Sequence, residues 1–72
     1  MPLIEIKVFE NELNPNQSER LIKKITDVVT EVTSEKLRDM TWVTINEIKS
    51  GHWGAGGNAL GLNDVKNLIA ND

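Results

Sequence analysis

The fold is decided by residues 1–9, which read MPLIEIKVF. Apolar side chains at Ile4, Ile6 and Val8 alternate with charged ones at the positions between them. This two-residue period is typical of a β-strand with one face in a core and the other in water. The stretch lacks the basic start and long apolar run of a secretion signal. We therefore predict that the chain opens with a half-buried strand.

Pro2 gives this strand an unusual chemical group. An initiator methionine is normally removed when the second residue is as small as proline, and removal of Met1 leaves a secondary amine at Pro2. Because the strand follows at once, that amine would be held in place. If Met1 is retained, the nitrogen of Pro2 is an amide without a basic lone pair. The alternative interpretation is that Pro2 is a tolerated residue before an edge strand, without a chemical role.

The length of 72 residues predicts a single domain, residues 1–72, close to the lower limit for an independent core. A domain of about 60 residues buries only roughly 60% of the surface of its unfolded chain. The sequence has no cysteine, so neither disulfides nor thiolate-bound metals can supplement that core. We therefore expect the chain to supplement its core by self-association.

The charge pattern argues against several classes of partner. The formal net charge is −3, and the lysines and arginines are not clustered, which argues against a nucleic-acid partner. No stretch approaches the ~20 apolar residues of a membrane span. These features favour a cytoplasmic protein.

A long amphipathic helix is predicted over residues 15–33. Asn14 is a good N-cap, Pro15 suits the first helical position, and Gln17 completes a capping-box pattern. The packing face is expected to contain apolar residues within about 120° of one another, namely Leu21, Ile22, Ile25, Val28, Val29 and Val32. The opposite face is expected to be solvated and consists of Arg20, Lys23, Lys24, Asp27, Thr30 and Glu31.

A second strand is predicted over residues 41–48, after a short polar connector at residues 34–40. Val43 and Ile45 point to one face of this strand, and Trp42 points to the other. Strand, helix and strand with short connections predict a small α/β (or α+β) fold, a β-α-β unit with parallel strands. Such a unit leaves one sheet face and the strand edges uncovered, which is a liability for a monomer. We expect copies of the chain to complete the sheet.

Residues 51–57, GHWGAGG, contain four of the five glycines. This density predicts tight turns with positive φ and a small hairpin around residues 54–57. A phosphate-binding loop is not expected, because the Lys-Ser or Lys-Thr ending and the following helix are missing. In the tail, Asn63 and Asp64 are candidate caps of a short helix. Its apolar residues are spaced for packing, with a neighbouring subunit as one candidate surface: Val65, Leu68 and Ile69.

Together these features resemble the 4-oxalocrotonate tautomerase family of small β-α-β proteins. The likeness rests on Pro2 directly after the initiator, on the β-α-β order at this length, and on the GHWGAGG stretch. In that family an aromatic residue follows a Gly-His or Gly-Asn pair. The likeness covers roughly residues 2–57 and leaves the tail outside. It implies a hexamer, or a related assembly, that interconverts enol and keto forms of 2-oxo acids without metal or cofactor.

The resemblance assigns the catalytic role to Pro2, and the chemistry of an amine agrees with it. An exposed α-amino group titrates near ~7.7–8.0, and burial among apolar groups lowers its pKa towards neutrality. A general base works best with a pKa near the operating pH. Pro2 is therefore expected to take a proton from an enol hydroxyl or an α-carbon and to return it elsewhere on the substrate.

The carboxylate-binding arginines of well-studied family members have no counterpart here. The region after the first strand reads ENEL at residues 10–13, and Trp42 occupies the position of the second arginine. Arg38, four residues before Trp42, is a candidate carboxylate ligand, with an exposed connector residue as the alternative. An indole cannot replace a guanidinium clamp without a change of ligand. A dicarboxylate substrate is therefore not favoured.

The two tryptophans are candidate pocket walls. Trp53 occupies the family's aromatic pocket position, and Trp42 adds a second indole for an aryl or alkenyl 2-oxo acid. The alternative for both is packing at subunit interfaces, where tryptophan is common. His52 is the only histidine and is interpreted as a turn residue.

The sequence thus predicts a self-assembling tautomerase, with a hexamer as the favoured assembly and Pro2 as general acid and base. Its substrate-binding residues are expected to be Trp53, Trp42 and Arg38. A second hypothesis is a catalytically silent homologue that keeps the scaffold and binds a small ligand or a partner. A third is hydration or dehalogenation of an unsaturated acid, which needs a water-activating carboxylate that no sequence position singles out.

Overall fold

A computed structural model describes residues 1–71. Its elements follow in the order β1 (Leu3–Phe9), α1 (Pro15–Val32), a 3₁₀ helix (Glu35–Met40), β2 (Trp42–Ile48), β3 (Trp53–Ala55), β4 (Asn58–Leu60) and α2 (Leu62–Ala70). The strands β1 and β2 are parallel neighbours, in a register that runs from Leu3 opposite Trp42 to Phe9 opposite Ile48. The predicted β-α-β unit with parallel strands is confirmed. The connector predicted at residues 34–40 contains the 3₁₀ helix.

The start of α1 is held by the capping box that the sequence predicts. The Asn14 side-chain oxygen accepts a hydrogen bond from the Gln17 backbone N–H at 2.8 Å. In return, the Gln17 side-chain oxygen accepts one from the Asn14 backbone N–H at 2.9 Å. Two N–H groups without partners in the helix are thereby satisfied. At the other end, Thr33 closes the helix through its N–H, which donates to the Val29 carbonyl.

The packing face of α1 is rotated from the predicted one. Val28 is 57% exposed and Val32 is 80% exposed, although both belong to the predicted apolar face. Thr30, predicted to be solvated, is only 3% exposed. Its hydroxyl donates to the Thr26 carbonyl at 3.0 Å, so its burial leaves no hydrogen-bonding group unsatisfied. The prediction for Thr30 was wrong because a threonine can satisfy its hydroxyl within its own helix.

The two faces of the β1–β2 sheet differ in exposure. Alternate residues are half-buried and form the face towards α1, namely Ile4, Ile6, Val8, Val43 and Ile45. On the opposite face, Leu3 is 56% exposed and its neighbour Trp42 is 58% exposed. Within one chain, this opposite face is exposed at its Leu3 end, whereas Phe9 at its other end is buried.

The glycine-rich stretch forms the predicted hairpin. The strands β3 and β4 pair in antiparallel fashion, with Ala55 opposite Asn58. The two residues between them, Gly56 and Gly57, have φ values of 59° and 83°. Two consecutive positive φ values are typical of the type I′ turn, whose twist matches that of the flanking strands. Glycine is favoured at both positions because most side chains are strained in this conformation.

The tail forms the predicted short helix, but the helix starts earlier than expected. It begins at Leu62 and Gly61 is its N-cap, so Asn63 lies inside the helix and is not its cap. Asp64 stabilises the start differently, because its carboxylate accepts a hydrogen bond from the Gly61 N–H at 2.8 Å. A carboxylate in the first turn also interacts favourably with the helix dipole.

The chain has a very small core. Among the described residues, Phe9 and Thr30 are the two that are buried, at 5% and 3% exposure. The exposed surface is 5693 Å², whereas a folded monomer of this mass exposes about 4,500 Å². The radius of gyration is 14.9 Å, against about 11 Å for a compact chain of this length. The single chain therefore leaves an unusually large surface exposed.

Candidate active site

Pro2 is fixed by the sheet that follows it. It lies directly before β1 and is half-buried. Its carbonyl oxygen accepts a hydrogen bond from the Trp42 backbone N–H at 2.9 Å. This bond extends the β1–β2 ladder by one residue towards the start of the chain. The backbone of Pro2 is thereby anchored beside the first residue of β2.

The side chain of Trp42 lies at the same end of the sheet. Trp42 is the register partner of Leu3, and the two side chains are more than half exposed. They share the face that α1 does not cover. The structure therefore brings the backbones of Pro2 and Trp42 together, at the end of the sheet where Leu3 and Trp42 expose apolar surface.

Trp53 lies at the other end of the sheet. Its ring centroid is 5.1 Å from that of Phe9, with a tilt of 45° between the ring planes. This distance is within the range of favourable aromatic pairs. Phe9 ends β1, and six steps of about 3.3 Å separate it from Leu3, which gives roughly 20 Å along the strand. Within one chain, the structure does not bring Trp53 to Pro2.

Arg38 is engaged in a network between the 3₁₀ helix and α1. Its Nη1 donates to the Asp27 carboxylate at 2.8 Å, and its Nη2 donates to the Glu35 carboxylate at 3.1 Å. Nη2 also donates to the hydroxyl of the buried Thr30 at 3.2 Å. The guanidinium therefore links the polar start of the 3₁₀ helix to the side of α1. In one chain, Arg38 is therefore engaged by its own carboxylates and is not a free carboxylate ligand.

The groups in this network shift one another's pKa values in the direction that favours the charged forms. Hydrogen bonding to Arg38, followed by that to Lys23, lowers the pKa of the Asp27 carboxyl. Hydrogen bonding to Arg38 also lowers the pKa of the Glu35 carboxyl. The two carboxylates, with Glu35 first, raise the pKa of Arg38. The exposure of these side chains, 40% for Arg38 and 71% for Glu35, allows water to weaken the pairs.

Sequence reasoning missed the partners of Arg38. Glu35 was accessible to it, because residues three apart on a helix are neighbours. Asp27 was assigned to a solvated face, yet its side chain is only 40% exposed and contacts Arg38 eleven residues away. That contact depends on how the 3₁₀ helix folds back on α1, which no local pattern indicates.

His52 lies in the turn that precedes β3. Its backbone N–H donates to the Lys49 carbonyl at 2.9 Å, and the neighbouring Gly51 has a φ of 88°. The interpretation of His52 as a turn residue agrees with this geometry. In residues 1–71, no group of three or more His, Cys, Asp or Glu side chains is arranged to hold a metal ion. None of the helices described there is long and apolar enough to cross a membrane.

Solved structures share the fold of this chain. DmpI from Helicobacter pylori is 27% identical, with a TM-score of 0.71, and the match covers 81% of this chain and 94% of DmpI. SAR1376 from methicillin-resistant Staphylococcus aureus is 28% identical, with a TM-score of 0.71, over 81% of this chain and 90% of SAR1376. YwhB, a homologue of 4-oxalocrotonate tautomerase, is 24% identical, with a TM-score of 0.72, over 81% of this chain and 92% of YwhB. No curated protein matches the sequence significantly.

The sequence itself carries the signature of one family. The sequence model of the tautomerase family, described as tautomerase enzyme, matches residues 2–63. The match starts at Pro2, the residue that the sheet anchors, and continues through both strands, α1 and the glycine-rich hairpin. Both the sequence match and the fold therefore place this chain in the tautomerase family.

Proposed function

We propose that the chain is a cofactor-independent tautomerase that interconverts the enol and keto forms of a 2-oxo acid. Membership of the family supports a tautomerase-type function. The observation that carries the finer proposal is the anchoring of Pro2. Its carbonyl is bonded to the Trp42 N–H at 2.9 Å, at an end of the sheet where Leu3 and Trp42 expose apolar surface. A fixed amine beside an apolar wall is suited to proton transfer.

The proposed reaction moves one proton and forms no covalent intermediate. The neutral amine of Pro2 accepts the proton of the enol hydroxyl, and the carbonyl forms as the electron pair of the C=C bond moves to the carbon. The resulting ammonium of Pro2 then delivers its proton to that carbon, which gives the keto form and the neutral amine. General acid–base catalysis of this kind contributes about 10²–10⁴-fold to the rate.

The amine requires removal of Met1. With Met1 attached, the nitrogen of Pro2 is a tertiary amide and cannot accept the proton. An α-amino group has an ordinary pKa of about 7.7–8.0, and apolar surroundings lower it by disfavouring the ammonium. Coverage of Pro2 by apolar side chains in an assembly would bring this pKa closer to neutrality.

We propose an aryl or alkenyl 2-oxo acid as the substrate class. The apolar surface beside Pro2 consists of Leu3 and Trp42, and an indole can stack on a planar conjugated substrate. Arg38 is bonded to two carboxylates and does not offer a free clamp. A second substrate carboxylate would therefore find no guanidinium here, which argues against a dicarboxylate.

We further propose that the site is completed by a second copy of the chain, in a hexamer or a related assembly. Trp53 can shield Pro2 only from another subunit, because within one chain it contacts Phe9, which lies roughly 20 Å along β1 from Leu3. Mixing subunits tests this directly. Pro2→Ala and Trp53→Ala proteins, each impaired alone, should regain activity when they are unfolded and refolded together. Hybrids without any gain in activity would contradict a shared site.

The proposed reaction is tested with natively produced protein. Intact mass spectrometry first establishes whether Met1 is removed. Ketonisation of an aryl enol of a 2-oxo acid is then compared between the parent protein, Pro2→Ala and a form whose N-terminus is acetylated. We expect losses of about 10²-fold or more in both altered proteins. A Lys7→Ala protein, altered on an exposed residue of β1, serves as the control and should keep its rate.

A second function is favoured by one observation. The position of the family's second arginine is occupied by Trp42, and Arg38 is held by Asp27 and Glu35. A homologue that lost catalysis but kept the apolar surface would bind a small ligand or a partner there. Equal ketonisation rates in the parent protein and in Pro2→Ala, together with binding of the aryl acid, would support this function over the first.

A further inference from the structure

The terminal helix α2 has an apolar stripe that is half-buried at Val65 and exposed at its end. Val65, Leu68 and Ile69 lie on one side of the helix, at the spacing of an amphipathic stripe. Leu68 is 76% exposed and Ile69 is 68% exposed. The family match ends at residue 63, so most of α2 lies beyond the part of the chain that defines the family. The family match therefore does not account for this stripe.

Within residues 1–71, the hydrogen bond that attaches α2 to the preceding chain lies in its first turn. The Leu62 N–H donates to the Ser50 hydroxyl at 3.0 Å, and Gly61 approaches Ser50 closely enough that a Cβ on the glycine would lie 3.3 Å from the serine Cβ. Within residues 1–71, the later turns pack extensively against no other helix or strand. A nine-residue helix is too short to be stable in water alone, since isolated helices below about 12–15 residues are marginal. The helix therefore requires another surface.

A surface that could pack against this stripe is present on α1. Val28 and Val32, four residues apart, form an exposed ridge along α1, at 57% and 80% exposure. Val65 and Ile69 have the same spacing on α2, and rows of residues four apart interdigitate when two helices pack. The charges beside the two rows are opposite, with the exposed Glu31 next to the α1 ridge and the exposed Lys66 next to the α2 stripe.

We propose that α2 packs its apolar stripe against the α1 ridge of a second copy of the chain. The single chain exposes about 1,200 Å² more than a compact monomer of its mass. A standard interface buries about 800 Å² on each partner, so a copy of this chain has enough surface to account for the excess. The helix carries one acidic and one basic residue, Asp64 and Lys66, so it adds no net repulsion between two acidic chains.

The first experiment measures the mass of the assembly by sedimentation. The variant Leu68→Asp/Ile69→Asp places two charges on the stripe, whereas the control Asn63→Asp/Asn67→Asp places two charges on the opposite side of the same helix. We expect the stripe variant to shift to a smaller species at micromolar concentration, while the control keeps the parent mass. An unchanged mass in the stripe variant would overturn the proposal.

The second experiment detects the contact itself. The chain has no cysteine, so single cysteines can be introduced without competing thiols. Val32→Cys and Ile69→Cys proteins are mixed, refolded together and oxidised, and a covalent dimer of the two is measured on a non-reducing gel. We expect it to form at least ten times faster than the dimer of Val32→Cys with Asn67→Cys. Equal rates for the two pairs would overturn the proposal, whatever the catalytic activity of the protein.

Discussion

The two ends of the parallel sheet differ sharply. At the end of β1, Phe9 is 5% exposed and is covered by Trp53 from the hairpin of the same chain. At its beginning, Leu3 and Trp42 are both more than half exposed, next to the anchored Pro2. The chain therefore closes one end of its sheet and leaves the other open. The open end is where the family chemistry is proposed to occur, and the closed end is where one chain holds itself together.

The largest effect is expected at the closed end. Phe9→Ala removes one of the two buried side chains described and its aromatic contact with Trp53. Truncation of a buried phenylalanine costs about 3–5 kcal/mol of unfolding free energy, which is a large part of the stability of a small domain. Urea unfolding at one fixed protein concentration measures it. Lys7→Ala, on the same strand but exposed, should stay within about 0.5 kcal/mol. Similar losses of unfolding free energy in the two variants would show that the buried Phe9 contributes no more to stability than an exposed residue of the same strand.

The open end should respond in activity more than in stability. Trp42→Ala removes the exposed indole beside Pro2 and is expected to lower kcat/KM for an aryl 2-oxo acid about 10- to 100-fold, since burial of a large apolar side chain contributes about 1.5–3 kcal/mol. The matched control is Thr44→Ala, two residues along the same strand face. A Trp42→Ala protein with the parent kcat/KM would show that this surface does not bind the substrate.

The hairpin that carries Trp53 depends on a positive φ in its turn. Gly57 has a φ of 83° and open space around its missing Cβ, so Gly57→Ala introduces backbone strain without a clash. We expect a loss of about 1–2 kcal/mol of unfolding free energy. Gly54→Ala is the control, because that glycine lies in β3 and an added Cβ would meet only an ordinary contact of 3.9 Å. Thermal unfolding of both distinguishes them, and equal melting temperatures would argue against strain at the turn.

The smallest effect concerns the Arg38 network, which lies just before the open end. Because hydrogen bonds to Arg38 lower the pKa of Asp27 and of Glu35, the folded state binds fewer protons than the unfolded one at mildly acidic pH. Their stabilisation is complete above the ordinary carboxyl pKa of about 4 and is lost as the pH falls through the lowered values. Arg38→Met should therefore make the melting temperature less dependent on pH below about 5.

Arg20→Met is the control for this pH series, since Arg20 is exposed on α1 and forms no ion pair within residues 1–71. It should keep the pH dependence of the parent protein. An Arg38→Met protein with the same acid profile as the parent would show that water screens these pairs completely, as it does for many exposed ion pairs.

Several predictions from the sequence were confirmed because they depend on local chemistry. The alternation of Ile4, Ile6 and Val8 is specified by the backbone pleat, which has a period of two residues. The Asn14–Gln17 capping box closes within four residues. The pair Gly56–Gly57 selects its turn because few other residues adopt positive φ. Each feature needs only its own neighbours in the chain.

Other features were inaccessible to sequence reasoning because they depend on how elements meet. The helical period places Val28 and Thr30 on opposite sides of α1, but it does not specify the rotation of the helix on the sheet, and Thr30 is the one that is buried. Asp27 acquires its partner only when the 3₁₀ helix folds back on α1. The distance between Trp53 and Pro2 follows from the pairing of Trp53 with Phe9, and the sequence does not indicate that pairing.

By itself, the sequence determined the β-α-β order, the capped helix and the glycine turn. It also determined the family of the chain. These are set by short-range periods and by the backbone preferences of proline, glycine and asparagine. Tertiary structure alone decided that Trp42 lies beside Pro2 in the sheet, that Trp53 contacts Phe9 at the other end of β1, and that Arg38 is engaged by Asp27 and Glu35. The physical reason is that strand register and helix rotation are set by contacts between distant residues, which a local pattern does not specify.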